Sequence, residues 1–340
     1  MSTVRITVAI PVLNEAKWIE ETLLAILAQG EDTPAFEALV MDGGSTDGTL
    51  EKVRRMAGSE PRIRLIPNPA RIQSAALNIA LDQARGEFFV RVDARTRIAD
   101  DYLVRCIELL ETGRAENVGG RMVPRGTTPM GEAIALATSS RFGMGNSYFH
   151  YAKEEREVDT VYLGAWRRDT LRALGGFDEE AHANEDYELN IRLREAGGRI
   201  LLSPKIRSVY LPREDWPGLR RQYSRYGRWK AWTLWKHPSS LRVRQAVPPL
   251  FLLTLVLGIL LSPFAPLAAA ATAALAALYA GVVLLAAALT AFPSEPRHFL
   301  RLLLVFPTIH LCWGAGLWSE IVRIASRRRV PPRRSPARAR

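Results

Sequence analysis

Acidic residues recur in this chain at the ends of apolar runs, where a strand would present them to a ligand. Asp42 and Asp93 each end such a run, and Glu185 and Asp186 lie together at the start of a charged helical segment. Carboxylates in such places accept hydrogen bonds from a nucleobase, hold a hard divalent cation or take a proton from a hydroxyl group. Their types and places predict a small-molecule site.

Alternating strands and helices must position these acids. The predicted strands are Ile6–Val12, Ala38–Asp42, Ile63–Ile66, Phe88–Asp93 and Asn117–Val123. The predicted helices are Glu15–Gln29, Thr46–Met56, Ser74–Ala84, Tyr102–Thr112 and Glu185–Ala196. This order predicts an α/β fold, with a mostly parallel sheet and helices on both faces. Residues 124–160 read as a loop-rich segment, and Leu163–Arg172 as a return to regular structure.

Two polar loops follow the first two predicted strands. One begins at Pro11 and carries Asn14 and Glu15, and the other begins with Asp42 and Gly43. Ligands of α/β domains bind outside the carboxyl ends of parallel strands. Asp42 could instead cap the following helix, but Asp47 is better placed for that, so we predict that Asp42 faces a ligand.

These two loops resemble the nucleotide-sugar pocket of family-2 glycosyltransferases, which have the GT-A fold. The stretch Asn68–Asn78 is also similar to the exopolysaccharide (succinoglycan-type) glucosyltransferases of that family. The resemblance covers about residues 4–235. It implies that Asp42 contacts the uracil of a UDP-linked donor. The other donor-binding residues that it implies in these stretches are Pro11, Asn14, Glu15, Gly43 and Asn78.

The run Phe88–Arg95 resembles the family's Asp-x-Asp metal motif. The resemblance implies that Asp93 holds Mg²⁺ or Mn²⁺ against the donor diphosphate. Arg95 stands where the second acid is expected. An arginine there clamps a phosphate or forms a salt bridge with Asp93. His182 is a possible further ligand, but a single exposed histidine is more often a bystander.

The run that starts at Gly175-Gly-Phe-Asp and ends in Glu185-Asp186 resembles the family's catalytic-base segment. It implies that Asp186 takes the proton of the acceptor hydroxyl in an inverting transfer, with Glu185 beside it. The alternative is that both acids only stabilise a helix dipole. Further along the same helix, the spacing of Glu188 and Arg192 predicts a solvated ion pair.

Basic residues and tryptophans are interleaved in the segment from Trp216 to His237, which is typical of an interfacial helix in the lipid headgroup layer. Part of this segment resembles the family's Gln-x-x-Arg-Trp signature. The resemblance implies contacts with the acceptor or the diphosphate from Gln222, Arg225, Arg228 and Trp229. We favour these interpretations over nucleic-acid binding, since no nucleic-acid-binding module is recognisable.

The C-terminal third of the sequence is apolar. Val247–Phe264 and Leu267–Phe292 are each about as long as the ~20 apolar residues that cross a bilayer. Leu302–Trp318 is a third candidate, either a span or a re-entrant or interfacial helix. Buried helices of a large soluble core are the less favoured alternative. We predict a protein of the cell membrane with several spans.

Charge and cysteine usage favour a cytoplasmic catalytic domain. The net charge is +11, and seven arginines between Arg327 and Arg340 contribute most of it. Such a tail beside apolar spans is expected inside the cell, against anionic lipid. The N-terminus does not resemble a signal peptide. Two cysteines, Cys106 and Cys312, are too few for a disulfide framework.

The sequence therefore predicts a membrane-anchored, inverting glycosyltransferase that uses a divalent cation and a nucleotide-sugar donor. Its acceptor is expected to be a lipid-linked saccharide, with polyprenyl phosphate as the alternative. An inactive scaffold of the same fold is the other rival. The predicted organisation is a GT-A domain over 1–212, an interfacial helix region over 213–240, two or three transmembrane helices over 246–322 and a basic tail over 323–340.

Overall fold

The computed structural model describes residues 3–145 and 147–326, and the side chain of Arg244 is left undescribed. The chain forms two compact units. The described part of the first consists of residues 3–123 and 148–211, and that of the second of residues 124–145, 147 and 212–326. The predicted domain 1–212 is thus interrupted by a segment that belongs to the second unit. The basic residues 327–340 lie outside the described residues.

The first unit is an α/β domain. Numbered in chain order, its elements are β1 (Ile6–Val12), α1 (Ile19–Leu27), β2 (Phe36–Asp42), α2 (Thr49–Ser59), β3 (Ile63–Pro67), α3 (Gln73–Gln83), β4 (Phe88–Arg91), β5 (Thr96–Ile98), α4 (Tyr102–Glu111), β6 (Asn117–Pro124), β7 (Arg156–Glu157), β8 (Tyr162–Arg167), α7 (Arg168–Ala173), α8 (Glu185–Glu195) and β9 (Ile200–Tyr210). Every predicted strand and helix of residues 1–123 is present, with ends shifted by a few residues.

The sheet is mixed rather than mostly parallel. Its strand order is β3-β2-β1-β4-β8-β6-β9-β5, with β7 beside β9. The neighbours β3, β2, β1 and β4 pair in parallel, whereas β8 is antiparallel to both β4 and β6. The long strand β9 was not predicted, because its residues alternate between buried and partly exposed. Such half-exposed strands are typical of antiparallel pairing and give a weaker apolar signal.

The parallel strands are buried because helices cover both faces of the sheet. Every residue of β2 is buried, which its near-continuous apolar sequence predicts. Alternate side chains of β1 enter two different cores. Val8 and Ile10 join α1 and α4 on one face, whereas Ala9 joins α3 and α8 on the other. The prediction of helices on both faces is confirmed.

The second unit is helical. Its elements are α5 (Pro129–Thr138), α6 (Arg141–Met144), α9 (Trp216–Lys236), α10 (Val243–Leu261), α11 (Pro266–Ala291) and α12 (Phe299–Ser326). The helix α5 corrects the prediction of a loop-rich segment over 124–160. Thr128 caps it by accepting a hydrogen bond from the Gly131 amide, and Pro129 occupies its first turn. Its apolar residues are buried in the core of this unit.

The helix α9 lies along α12 at close range. A methyl group on Gly227 would lie 2.0 Å from the Trp313 carbonyl oxygen, and one on Gly316 would lie 2.1 Å from that of Ser224. Glycine at these positions lets the two backbones touch. The opposite face of α9 is exposed and carries arginines: Arg220, Arg221, Arg225 and Arg228. The helix is therefore amphipathic, but its apolar face covers another helix of its own unit.

Among residues 3–145 and 147–326, two helical segments are long and apolar enough to cross a membrane: Pro266–Ala291 and Pro296–Ser326. This judgement rests on length and composition. The predicted span Val247–Phe264 corresponds to a shorter apolar helix, Gln245–Leu261. The third candidate, Leu302–Trp318, lies within one continuous helix of 28 residues.

Candidate active site

The polar residues of the first unit meet at the carboxyl ends of β1, β2 and β4. Residues 6–12 of β1 pair in parallel register with 36–42 of β2, and β4 lies on the other side of β1. The loops after β1 and β2 are therefore neighbours. Pro11 lies within β1, and Gly43 directly follows Asp42, its amide donating to the Val12 carbonyl. This edge of the sheet is the candidate site.

Asp42 is buried and its carboxylate organises the loop after β2. It accepts hydrogen bonds from the amides of Gly44 at 2.9 Å and Ser45 at 3.1 Å. Gly44 adopts a positive φ of 78° in this turn. The helix α2 begins at Thr49, and Asp47 accepts hydrogen bonds from the Thr49 amide and hydroxyl. Asp47 thus holds the first residue of α2, whereas Asp42 holds the loop after β2.

The loop after β1 is fastened to the loop after β2. The Asn14 side-chain oxygen accepts a hydrogen bond from the Thr46 amide at 2.9 Å, and the Asn14 amide donates to the Ser45 hydroxyl at 2.9 Å. Asn14 has a φ of 55°, a conformation that asparagine tolerates. The structure therefore gives the Asn14 side chain a role in holding the two loops together.

Asp42 lines an open cavity of about 490 Å³. The lining residues come from the loop after β2, the helix α2 and the end of β3: Asp42, Gly43, Gly44, Leu50, Arg54, Leu65, Ile66, Pro67, Asn68, Pro69 and Arg71. Asn68 is buried, and its side-chain oxygen has no hydrogen-bond partner among the described residues. Two arginines in the lining suit an anionic ligand. Sequence reasoning had not given Asn68 or Arg54 a role.

A buried arginine, Arg91, gathers the acids of the site. Its guanidinium hydrogen-bonds both carboxylate oxygens of Asp93, at 2.8 and 3.1 Å. The same guanidinium lies 2.9 Å from Glu185 Oε1 and 3.9 Å from Asp186 Oδ2. The Arg91 side chain is only 6% exposed. One cation thus joins the end of β4 to the start of α8.

Arg91 was missed by sequence reasoning, although a signal was present. It is the cation within the apolar run Phe88–Val92, and an arginine is almost never buried unless it is paired. Its position on a strand buried on both faces therefore requires carboxylate partners.

Glu185 and Asp186 differ in accessibility. The Glu185 side chain is 3% exposed, whereas that of Asp186 is 29% exposed. Burial raises the pKa of Glu185 to about 7, and the charge of Arg91 opposes that shift. Burial raises the pKa of Asp186 as well, again against Arg91. Of the two acids, Asp186 is the one that an incoming hydroxyl group can reach.

Arg95 does not pair with Asp93, which corrects one of the sequence-based alternatives. Its guanidinium binds Glu15, with Nε at 2.9 and 2.8 Å from the two carboxylate oxygens. Asp93 is held instead by Arg91 and by Gln73, whose amide donates to Oδ1 at 3.1 Å. Glu15 is therefore engaged in an ion pair, and its predicted contact with a donor remains a prediction.

The loop that leads to Asp186 is clamped from two sides. The Asn78 side chain donates to the Phe177 carbonyl and accepts from the Phe177 amide, both at 2.8 Å. From the other side, Arg192 donates to the carbonyls of Leu174 and Gly176. Arg192 also pairs with Glu188, whose side chain is 1% exposed. The prediction of a solvated pair is wrong, because Glu188 is buried and Arg192 is only 24% exposed.

The remaining predicted residues lie elsewhere. Gln222, Arg225, Arg228 and Trp229 lie on α9 of the second unit, where the Gln222 amide donates to the Tyr226 hydroxyl at 3.0 Å. Their predicted roles stay predictions. His182 is exposed, and no group of three potential metal-binding side chains occurs among residues 3–145 and 147–326.

Known proteins resemble this chain over most of its length. The family described as Glycosyl transferase family 2 matches residues 7–157, and Glycosyl transferase family group 2 matches residues 88–292. The succinoglycan biosynthesis protein ExoA of Rhizobium meliloti is 35% identical over 326 residues, which cover 95% of this chain and 96% of that protein.

Two further similarities concern enzymes with named substrates. A dolichyl N-acetyl-alpha-D-glucosaminyl phosphate 3-beta-D-2,3-diacetamido-2,3-dideoxy-beta-D-glucuronosyltransferase of Methanococcus voltae is 29% identical, over 65% of this chain and 71% of that enzyme. The mannosyltransferase PcManGT of Pyrobaculum calidifontis, solved with GDP-Man and Mn²⁺, is 26% identical with a TM-score of 0.62. That similarity covers 93% of this chain and 88% of the solved one.

Proposed function

The chain belongs to glycosyl transferase family 2, and on that basis we propose that it transfers a sugar from a UDP-linked donor to a lipid-linked saccharide in exopolysaccharide or glycolipid synthesis. One observation carries this proposal. The buried Arg91 brings Asp93 together with the neighbouring acids Glu185 and Asp186. The acid assigned to the donor diphosphate and the two acids assigned to the acceptor hydroxyl then lie at the same edge of the sheet as the Asp42 cavity.

The proposed reaction is an inverting transfer. The Asp186 carboxylate takes the proton of the acceptor hydroxyl as its oxygen attacks the anomeric carbon. The bond from that carbon to the donor diphosphate breaks, and the nucleoside diphosphate leaves with the bonding electrons. Arg91, which also pairs with the buried Glu185, positions Asp186. Asp42 lines the cavity in which we place the base of the donor.

A divalent cation fits this site if the donor supplies further ligands. Asp93 is 27% exposed, and a carboxylate offers about four lone-pair sites, more than its hydrogen bonds from Arg91 and Gln73 use. Magnesium ions are commonly held by about one or two carboxylates together with substrate phosphates. Asp93 would hold the cation with the donor diphosphate, whose charge the cation would neutralise.

The membrane is where we place the acceptor. The Rhizobium relative is named for succinoglycan biosynthesis and the Methanococcus relative for a dolichyl phosphate substrate. The first name favours a saccharide acceptor in polysaccharide synthesis, and the second favours an acceptor carried by a lipid, with polyprenyl phosphate as the alternative. The apolar helices of the second unit support attachment to the cell membrane. We place the first unit on the cytoplasmic side, where nucleotide sugars are made.

The proposal is tested by nucleotide release. Purified protein in lipid is given a panel of UDP-sugars and GDP-mannose, with lipid-linked saccharide or polyprenyl phosphate as acceptor. We expect release of UDP from one UDP-sugar, dependent on one acceptor. A chelator should abolish release, and Mn²⁺ or Mg²⁺ should restore it. Release from GDP-mannose alone would overturn the choice of nucleotide, and full activity in chelator would overturn the role of Asp93 in holding a cation.

The role of Asp42 predicts a specific loss of nucleotide affinity. In Asp42→Asn, one acceptor oxygen of the carboxylate becomes a donor, so a bond to the base is lost. Hydrogen bonds to a charged group are worth about 1.5–3 kcal/mol, so UDP should bind roughly 10- to 150-fold more weakly in calorimetry. Asp47→Asn is the matched control, because Asp47 bonds Ala16 and Thr49 next to the same loop and does not line the cavity. Equal losses in both variants would show that Asp42 acts through the loop alone.

A further inference from the structure

The helices α10 and α11 form a hairpin whose outer part is exposed and apolar. In the stretch 250–282, all of which the structure describes, no residue is buried. No charged residue occurs between Gln245 and Glu295. At the tip, Phe264 is 86% exposed and Leu267 is 83% exposed. Soluble proteins rarely expose apolar patches of this extent, so lipid is the partner that this surface fits.

Contacts with α12 fix the base of this hairpin. Gly314 lies against the backbone of Pro248, and the Trp318 indole donates to the Pro249 carbonyl at 2.8 Å. On α11, the buried residues are Val283, Ala287 and Ala291, all in its C-terminal part. The outermost contact between α11 and α12 that we identify is the hydrogen bond of Tyr279 with His310, at 3.0 Å.

The exposed arginines of α9 indicate which level of the second unit lies outside the hydrocarbon of the membrane. Gly227 of α9 touches Trp313 and Leu317, and Gly314 between these two lies against Pro248. Arg225 and Arg228, which flank Gly227, are exposed. Along the axis of α12, the exposed arginines are therefore at the same height as Pro248, at the base of the hairpin. Because a guanidinium is costly to place in hydrocarbon, the arginine-bearing face of α9 at this height stays in water or in the headgroup layer.

The part of the hairpin beyond this height is too short to cross a bilayer. Residues 250–261 of α10 and 266–279 of α11 extend beyond the base. At about 1.5 Å per residue these arms are roughly 18 and 21 Å long. The hydrocarbon core of a bilayer is about 30 Å thick.

The loop between α10 and α11, residues 262–265, is built without free amide groups. The amides of Ser262, Phe264 and Ala265 donate to carbonyls of the last turn of α10. The other two tip residues, Pro263 and Pro266, have no amide hydrogen. Unsatisfied backbone groups are costly in lipid, and this loop leaves none of its own amides unpaired.

We propose that the α10–α11 hairpin inserts into the acyl chains of the cytoplasmic leaflet and ends inside the bilayer, without crossing it. This inference rests on the membrane attachment proposed above and not on catalysis. It replaces the sequence-based expectation that Val247–Phe264 and Leu267–Phe292 each cross the bilayer by one re-entrant hairpin. Both ends of the hairpin then lie on the cytoplasmic side.

Thiol accessibility in the native membrane tests this proposal. Cys106 is buried and stays in place, whereas Cys312 is replaced by serine to remove its background. Phe264→Cys then places a thiol at the tip, and Ser239→Cys places one at an exposed position before α10. Full-length protein is treated with a membrane-impermeant maleimide in spheroplasts, in inside-out vesicles and after detergent. Leu267→Cys serves as a second tip position in case Phe264→Cys is not recovered in membranes.

We expect the tip thiol to be labelled only after detergent, and the Ser239→Cys thiol to be labelled in inside-out vesicles. Labelling of the tip in spheroplasts would show that the hairpin crosses the membrane and would overturn the proposal. Labelling of the tip in inside-out vesicles without detergent would show that the hairpin is in water, which would overturn it as well. Neither outcome depends on transfer activity, so a failure of the proposed function would be recognised separately.

Discussion

Asp186→Asn is expected to lower kcat by about 10²–10⁴-fold, the range for loss of a general base. The asparagine has nearly the same shape, and its side-chain oxygen still accepts the hydrogen bond that Asp186 takes from the Tyr187 amide at 2.8 Å. The fold and the donor site should therefore survive. We expect UDP affinity, measured by calorimetry, to be unchanged while sugar transfer is lost.

The solvent-exposed Asp169 gives a matched control. Its side chain is 84% exposed and lies on α7, so Asp169→Asn removes the same charge without touching the site. Transfer by Asp169→Asn should equal that of the wild type. Transfer retained by Asp186→Asn would remove Asp186 as the base, and Glu185→Gln would then be the next variant to measure.

The same assignment predicts a pH dependence. The base works only as a carboxylate, and burial raises the pKa of Asp186 above its ordinary value. A raised pKa means that the proton stays bound to a higher pH, so kcat should fall as the pH is lowered through that raised value. The acid limb of the kcat profile is therefore expected above about pH 4, where an ordinary aspartate titrates.

Arg91→Met is expected to have the second large effect, on stability and on catalysis together. It leaves Asp93, Glu185 and Asp186 without the cation they share. Breaking a buried ion pair by removing one partner costs about 3–5 kcal/mol. Because Arg91 lowers the pKa values of both Glu185 and Asp186, its loss should also move the acid limb of kcat to higher pH. Unfolding in urea and the pH profile of kcat measure the two effects.

Two further variants test whether Arg91 positions the catalytic acids or only stabilises the folded protein. Arg91→Lys keeps the charge but not the two-pronged geometry, so we expect the acid limb to return toward the wild type while kcat stays reduced. Arg64→Met is the control, since Arg64 pairs with the buried Glu37 at 3.1 Å on another strand. It should lower stability without moving the acid limb. An unmoved limb in Arg91→Met would show that Arg91 only stabilises the fold.

Much of the first unit was predictable because its signals are local. Apolar runs that are buried on both faces predict parallel strands, and β1 has the predicted ends, Ile6 and Val12. The places of Asp42 and Asp186 follow from where a strand ends and where a helix begins. The mixed character of the sheet was not predictable in the same way, since β9 alternates in burial and gives no continuous apolar run.

The sequence alone determined the family, the alternation of strands and helices in the first 123 residues, the acids at the strand ends and the presence of long apolar segments. These features depend on residue type and short spacing, which the chain displays directly. Only the tertiary structure decided that Arg91 joins Asp93 to Glu185, that Arg95 binds Glu15 and that Glu188 is buried with Arg192. It also decided where α12 contacts the α10–α11 hairpin, and therefore how much of the hairpin extends beyond these contacts. Ion pairs between distant segments and the height at which helices meet depend on packing in three dimensions, which short-range spacing does not encode.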